Sequence, residues 1–323
     1  MTGAGKQRGL TLLELMLALT VSLILLLGAS RLFLTIRHSH NVAQGLSRLQ
    51  ENARFIMTLL PRDVRQAGAL GCNSIDALGT HIDNTLAEAD QFAHRFNNIL
   101  TGFHAAASGA ILPSGSPATA DARLPHVVRK HVVPGTDIIV IRAARIDGVA
   151  VALDSADRFK ADDLLAISDC HDATLFKYDG TTSSVPSAGY GADARLMQLD
   201  TVVYYIRKNS RDIPALYRYS LGKSQELAPG VEYMRILYGQ DTNADGSVNR
   251  WVDANANELD MAQVVAVRIG LLMRAVNENR RVADKRTYNV LDKSFTPAHA
   301  PDRYQRQLYT TTILLRNRAS SGV

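Results

Sequence analysis

The chain is poor in cysteine and tryptophan, and it has no second long apolar run. Cys72 and Cys170 are the only cysteines in 323 residues, and neither belongs to a CxxC pair. A cysteine-based zinc site therefore has no footing. Trp251 is the single tryptophan, whereas tyrosine is common at 11. Charge of one sign is scarce too. Thirty-six Lys and Arg face 31 Asp and Glu, for a net +5, and the basic residues do not cluster. That balance speaks against nucleic acid as a partner. G-x-S-x-G, H-E-x-x-H and a complete P-loop are all missing, and the nine histidines form no metal-ligand constellation. Gly3-Ala4-Gly5-Lys6 looks like the end of a P-loop but is followed by Gln7 rather than Ser or Thr. With one apolar run, the chain cannot be a multi-span membrane protein. What remains is a 46% hydrophobic, 21% charged sequence with enough apolar residues for a sizeable core.

The first forty residues are the most informative. Residues 1–9, MTGAGKQRG, are short, polar and basic through Lys6 and Arg8. Sixteen residues without a charge separate Glu14 from Arg31. As a helix they span roughly 24 Å, and the flanking Leu10–Leu13 and Leu32–Leu34 bring the apolar length close to the ~30 Å of a bilayer core. A secretory signal peptide or a plain signal anchor would share these features, with Gly28-Ala29-Ser30 as a weak cleavage site. Neither accounts for Glu14. A carboxylate inside an apolar helix costs about 2.5–3.5 kcal/mol on insertion scales, so it marks a function and a partner.

Gly9-Leu10-Thr11-Leu12-Leu13-Glu14 resembles the processing motif of type IV prepilins. The resemblance implies cleavage after Gly9 by a prepilin peptidase, methylation of the new N-terminal Leu10, and Glu14 as the fifth mature residue. Leu10 stands where the family most often has Phe. Downstream, Val42, Leu46, Leu49, Ala53, Ile56, Leu60 and Val64 recur at spacings of four and three. They predict one long helix from about Leu10 to Ala67, with Pro61 kinking or interrupting it. The run from Ala53 through Arg65-Gln66-Ala67-Gly68 to Gly71-Cys72 resembles the stem-to-domain junction of PilW-type minor pilins, and Ile167-Ser168-Asp169-Cys170 matches the same group. Residues 75–130 carry no part of the likeness.

Past Gly71 the sequence is loop-rich, with a helix predicted over 84–97. Strand signals follow at 137–142, 149–153 after an Asp147-Gly148 turn, 164–168, 174–178, 201–206, 215–220, 264–274 and 309–316. There is no internal repeat and no βαβ alternation. The predicted fold is α+β and type IV pilin-like: a long N-terminal helix packed on an antiparallel β-sheet domain. The organisation is a leader at 1–9, a transmembrane half-helix at 10–35, a periplasmic half-helix at 36–71 and a β-rich globular domain at 72–323.

Two site readings accompany this. In a domain facing an oxidising compartment, Cys72 and Cys170 pair as a disulfide, which also removes Cys170, flanked by Asp169 and His171, as a nucleophile. Asp241, Asn243, Asp245 and Asn249, with Gly246 between them, have the alternating oxygens of a calcium loop, and Asp253 would complete the set. The final Glu of an EF-hand is absent, and a polar turn without metal fits the same residues. No other cofactor is expected. Arg280-Arg281 and Lys285-Arg286, the one compact basic run, read as a solvated loop.

The resemblance implies a minor pilin that takes part in assembly rather than catalysis. Its partners would be other minor pilins, the major pilin, the peptidase and the inner-membrane assembly machinery. It would sit in the inner membrane with a periplasmic domain and then in the filament, near the tip. A pseudopilin of a type II secretion system shares the leader, stem and sheet. A signal-anchored periplasmic enzyme or binding module is the reading from another class.

Overall fold

The computed structural model describes residues 11–86, 92–113, 124–144, 151–191, 193–297 and 301–318. Helix α1, Leu12–Arg65, is 54 residues long, roughly 80 Å at 1.5 Å per residue. Its first half stands clear of the rest of the chain, and its second half is sunk into the domain. The predicted interruption at Pro61 does not occur, and the helix runs on to Arg65. Proline removes one backbone bond, to the carbonyl four residues back. Pro61 is buried, and so are its neighbours Leu60 and Val64, so packing holds the last turn. The chain then reverses through Gly68 and Gly71, both at positive φ.

The domain contains two main sheets. The larger is built from β1 (Leu100–Ala105), β2 (Asp137–Ala144), β3 (Leu164–Ser168), β4 (Ala173–Lys177) and β5 (Arg195–Lys208). They lie in the order β4-β3-β5-β2-β1, all antiparallel, with short strands Ile82–Asn84 and Ile111–Pro113 at the two ends. Ile82–Asn84 joins β4 in parallel, the one departure from the antiparallel expectation among the described residues. A hairpin of β6 (Pro214–Ser220) and β7 (Lys223–Pro229) extends the sheet from the second half of β5. The smaller sheet has β8 (Val231–Gln240), β9 (Arg250–Val252), β10 (Val264–Arg274) and β11 (Arg306–Leu314), in the antiparallel order β9-β8-β10-β11.

Two local expectations fail. No helix covers 84–97 among the described residues. Ile82–Asn84 is a strand and Phe92–His94 a single 3-10 turn. The Asn84 side chain accepts the Leu86 N–H at 3.1 Å, and such local capture of backbone donors competes with helix. The Asp147-Gly148 turn lies outside the described residues. Of the strand expected after it, Val151 keeps a single bridge to Leu196, and Leu153 opens a 3-10 segment.

One core joins the helix to both sheets. Leu49, Ala53, Ile56, Leu60 and Val64 of α1 are buried with Tyr204 and Ile206 of β5, Met234, Ile236 and Tyr238 of β8, and Ile269 and Leu271 of β10. Gly102 of β1 shows how tightly the sheets meet, because a Cβ there would overlap the Tyr238 hydroxyl. Ile56 is only 1% exposed. Ile56→Ala should cost about 2–5 kcal/mol, read as a lowered denaturation midpoint of the full chain in detergent. A loss under about 1 kcal/mol would mean that the helix does not share the core.

Candidate functional site

The stem begins with a capping box. The Thr11 hydroxyl accepts the Glu14 N–H at 3.3 Å, and a Glu14 carboxylate oxygen accepts the Thr11 N–H at 3.2 Å. Each satisfies a donor that the first helical turn leaves over. Gly9 and Leu10 lie outside the described residues. The next turns form an apolar rod with mean hydropathy 2.4 and nothing buried against the rest of the chain. Its hydroxyls are satisfied within the helix. Thr20 donates to the Leu17 carbonyl at 2.9 Å and Ser22 to the Ala18 carbonyl at 2.7 Å. Between Glu14 and Ser30 no polar group then calls for an outside partner in lipid.

Where the stem meets the domain, a charge is buried. Asp63 is 3% exposed. One of its carboxylate oxygens accepts from the Tyr204 hydroxyl at 2.6 Å and from the Arg218 Nε at 3.1 Å. Helix, β5 and β6 are thus fixed at one point. Burial, with the Asp63 charge beside it, holds the Tyr204 phenol well above its usual range. Beyond the helix, Cys72 and Cys170 are joined in a disulfide, with Cα atoms 5.6 Å apart. It ties the turn after α1 to the β3–β4 loop. Asn73 adds a hydrogen bond to the Cys170 carbonyl at 3.2 Å, and His81 meets Asp172 at 3.0 Å. Asp169 accepts the N–H groups of Asp172 and His171, which lowers its pKa. Cys170 has no thiolate to offer.

A second buried charge locks the sheets together. Arg235 of β8, 1% exposed, donates to Asp292 at 2.7 and 2.8 Å, to Asp253 at 2.8 Å and to Asp137 at 3.3 Å. Asp137 sits on β2 of the larger sheet, accepts the Ile236 N–H at 2.7 Å and meets His104 of β1 at 2.6 Å. Arg306 of β11 makes a second clamp within the smaller sheet, with Glu232 of β8 at 2.6 Å and Asp302 at 2.7 Å. The sequence reading missed both clamps. An arginine in an otherwise apolar stretch, Tyr233-Met234-Arg235-Ile236-Leu237, was the available signal.

The calcium-like loop is only partly assembled. Asp241 accepts the N–H groups of Asn243, Asp245 and Gly246. Asp245 accepts from the Ser247 N–H, and Asn249 from the Thr242 N–H. These are polar-turn contacts within the loop. Asp253 does not join them, because Arg235 holds it. Among the described residues no three His, Cys, Asp or Glu side chains are grouped to hold a metal. The loop does have a packing role: Val248 and Trp251 lie over Gly239 of β8, where a side chain would not fit. The basic run is not a free patch, as Arg280 and Arg286 both pair with Asp284 at 3.3 and 2.8 Å.

Comparison with known proteins bears on the two ends of the chain. Residues 5–30 match the prokaryotic N-terminal methylation motif. Residues 203–317 match the family of type IV pilus-assembly protein W. Residues 31–202 lie outside both matches. No curated protein sequence matches the chain. Among solved structures, a type IV-like pilin from Thermus thermophilus is similar at 11% identity and a TM-score of 0.35, over 84% of this chain and 97% of that one. An overlap that loose adds nothing to the fold described above. The methylation motif at the head of an exposed apolar stem defines a prepilin-like protein. Together with the match to the PilW family over 203–317, it supports a minor pilin in type IV pilus assembly.

Asp253 and Asp292 generate a pH prediction. Burial acts to raise both, but the hydrogen bonds and charge of Arg235 outweigh it, and both are held below the ordinary carboxylate value. A carboxyl depressed in the folded state adds stability that is full above its unfolded pKa of about 3.9 and is lost as pH falls through the folded value. The thermal midpoint of the full chain should therefore fall as pH drops below about 4. A midpoint that stays level down to pH ~2 would contradict this reading of the clamp.

Proposed function

We propose that this minor pilin is cut after Gly9, is methylated on Leu10, and works with other minor pilins to start the filament, remaining near its tip. The leader is then 1–9, the membrane half of the stem 10–35, the periplasmic half 36–71 and the periplasmic domain 72–323. The observation that carries this is the bare apolar half of α1, rigidly continuous with a half locked into the domain. In the inner membrane, lipid covers Leu12–Ile36. On leaving the lipid, those side chains need new neighbours, and each large one recovers about 1.5–3 kcal/mol when stems of other pilins enclose it. The partners are accordingly other minor pilins and the major pilin, delivered by the inner-membrane assembly machinery.

Glu14 sets the register. Before assembly the capping box gives its carboxylate a partner within its own helix. In the filament core an N-terminal amine of this or a neighbouring subunit is the stronger counter-charge. Glu14→Ala should leave cleavage and membrane insertion intact and reduce the protein in sheared filaments to about a tenth or less. Quantitative blotting of filament and membrane fractions reads both. Wild-type amounts of the variant in filaments would remove Glu14 from the account.

A further inference from the structure

The smaller sheet ends in a long strand whose outer edge no other strand joins among the described residues, although α1 lies along it. β11 pairs with β10 on one side only, over nine residues and without a bulge. Ala275 donates to the Gln305 carbonyl and Leu315 to the Val265 carbonyl, so the odd-numbered residues bond inward. By the alternation of antiparallel ladders, Leu308, Thr310, Thr312 and Leu314 turn their N–H and C=O groups to the open edge. Their side chains are exposed, Leu314 to 63% and Leu308 to 37%. The strip has no charge and no proline.

The contrast with the other long edge is informative. β7 carries Lys223, Glu226 and Pro229, and a register shift breaks its pairing with β6. Those are the devices by which proteins keep foreign strands off an edge. Parts of the smaller sheet's outer face are covered as well. Val248 and Trp251 lie over Gly239, and Val290 and Leu291 lie over Gly270. By contrast Leu308, Thr310, Thr312 and Leu314 of β11 are exposed, with Arg268 of β10 reaching across to donate to the Thr312 hydroxyl at 3.2 Å.

The stem fixes what can fill it. Gly45 of α1 abuts Asn279 and Ala275, at the start of β11. The Asn317 side chain, just past the end of β11, donates to the Arg65 and Ala67 carbonyls at the end of α1. Stem and strand therefore run side by side in one direction. Antiparallel pairing of two copies across this edge would point their stems in opposite directions, which a shared membrane forbids. Parallel pairing would turn one sheet over and place the stems on opposite faces, apart from each other. A strand from a different subunit meets neither obstacle if it runs antiparallel to that subunit's own stem and forms the edge that leaves both stems on one face.

We propose that β11 is a strand-addition site for a different prepilin-like subunit, whose edge strand pairs antiparallel through the outward groups of Leu308, Thr310, Thr312 and Leu314. This rests on the pilin reading above, because it requires the two stems to share a membrane. Thr310→Pro deletes one outward donor and leaves the bonds to β10 in place. Thr310→Val keeps the donor. The full chain, with a photoreactive residue at position 314, is irradiated in its own membrane and the adducts are sequenced. The expected result is an adduct to another protein with a methylation motif, about tenfold weaker in Thr310→Pro and unchanged in Thr310→Val. Adducts only to a second copy, no adduct to such a subunit, or equal yields in all variants would overturn the proposal. Membrane level and Cys72–Cys170 oxidation are read alongside to show that each variant folds. Cleavage after Gly9 is read in the same samples, so a correctly processed chain without the adduct fails on the edge alone, while an uncut chain fails the pilin reading.

Discussion

The structure depends on one helix having to satisfy two surroundings. Up to about Ile36 it offers apolar side chains on every side, which suits lipid or a bundle of like helices. From Leu49 on it offers a single apolar stripe, which suits a folded domain. Because α1 is continuous, a load on the exposed half reaches the domain through that stripe. The domain answers by giving the stripe the centre of its core, where residues of both sheets converge. Helix propensity alone could not hold so long a rod against the sheets; tertiary packing does.

Polar fasteners are set where apolar packing alone would let the parts slide. Asp63 binds Tyr204 and Arg218 where the stem enters the domain. Arg235 binds Asp137 across the two sheets, with Asp253 and Asp292 closing around it. Such buried pairs add little net stability, yet losing one partner costs about 3–5 kcal/mol. They therefore fix geometry more than they deepen the well. The Cys72–Cys170 link, 98 residues apart in sequence, constrains the unfolded chain by up to about 4.7 kcal/mol in the loop-entropy picture.

The stem was legible because its pattern is local. A charge-free run, a Gly before it and an i, i+4 stripe after it need no knowledge of the fold. β10 and β5 were legible through their β-branched and aromatic runs, and the two cysteines through their number. β8 was missed because nearly all of it is buried, so no alternation shows. The Arg235 clamp was missed because its partners stand 98, 18 and 57 positions away. Asp253 illustrates the same limit. Its place after an oxygen-rich loop suggested a ligand, while a strand neighbour distant in sequence takes its carboxylate instead. The bare edge of β11 could be seen only once the strand order was known.

Apolar stem, braced domain and open edge fit the proposed account: a subunit whose stem is drawn out of the membrane behind its domain and enters a filament of its relatives. Mass spectrometry of the N-terminal peptide from sheared surface filaments tests that claim most directly. A methylated peptide beginning at Leu10, recovered from filaments, is the predicted result. An uncut N-terminus, or a cut near Ser30 with no protein in the filament fraction, would contradict it.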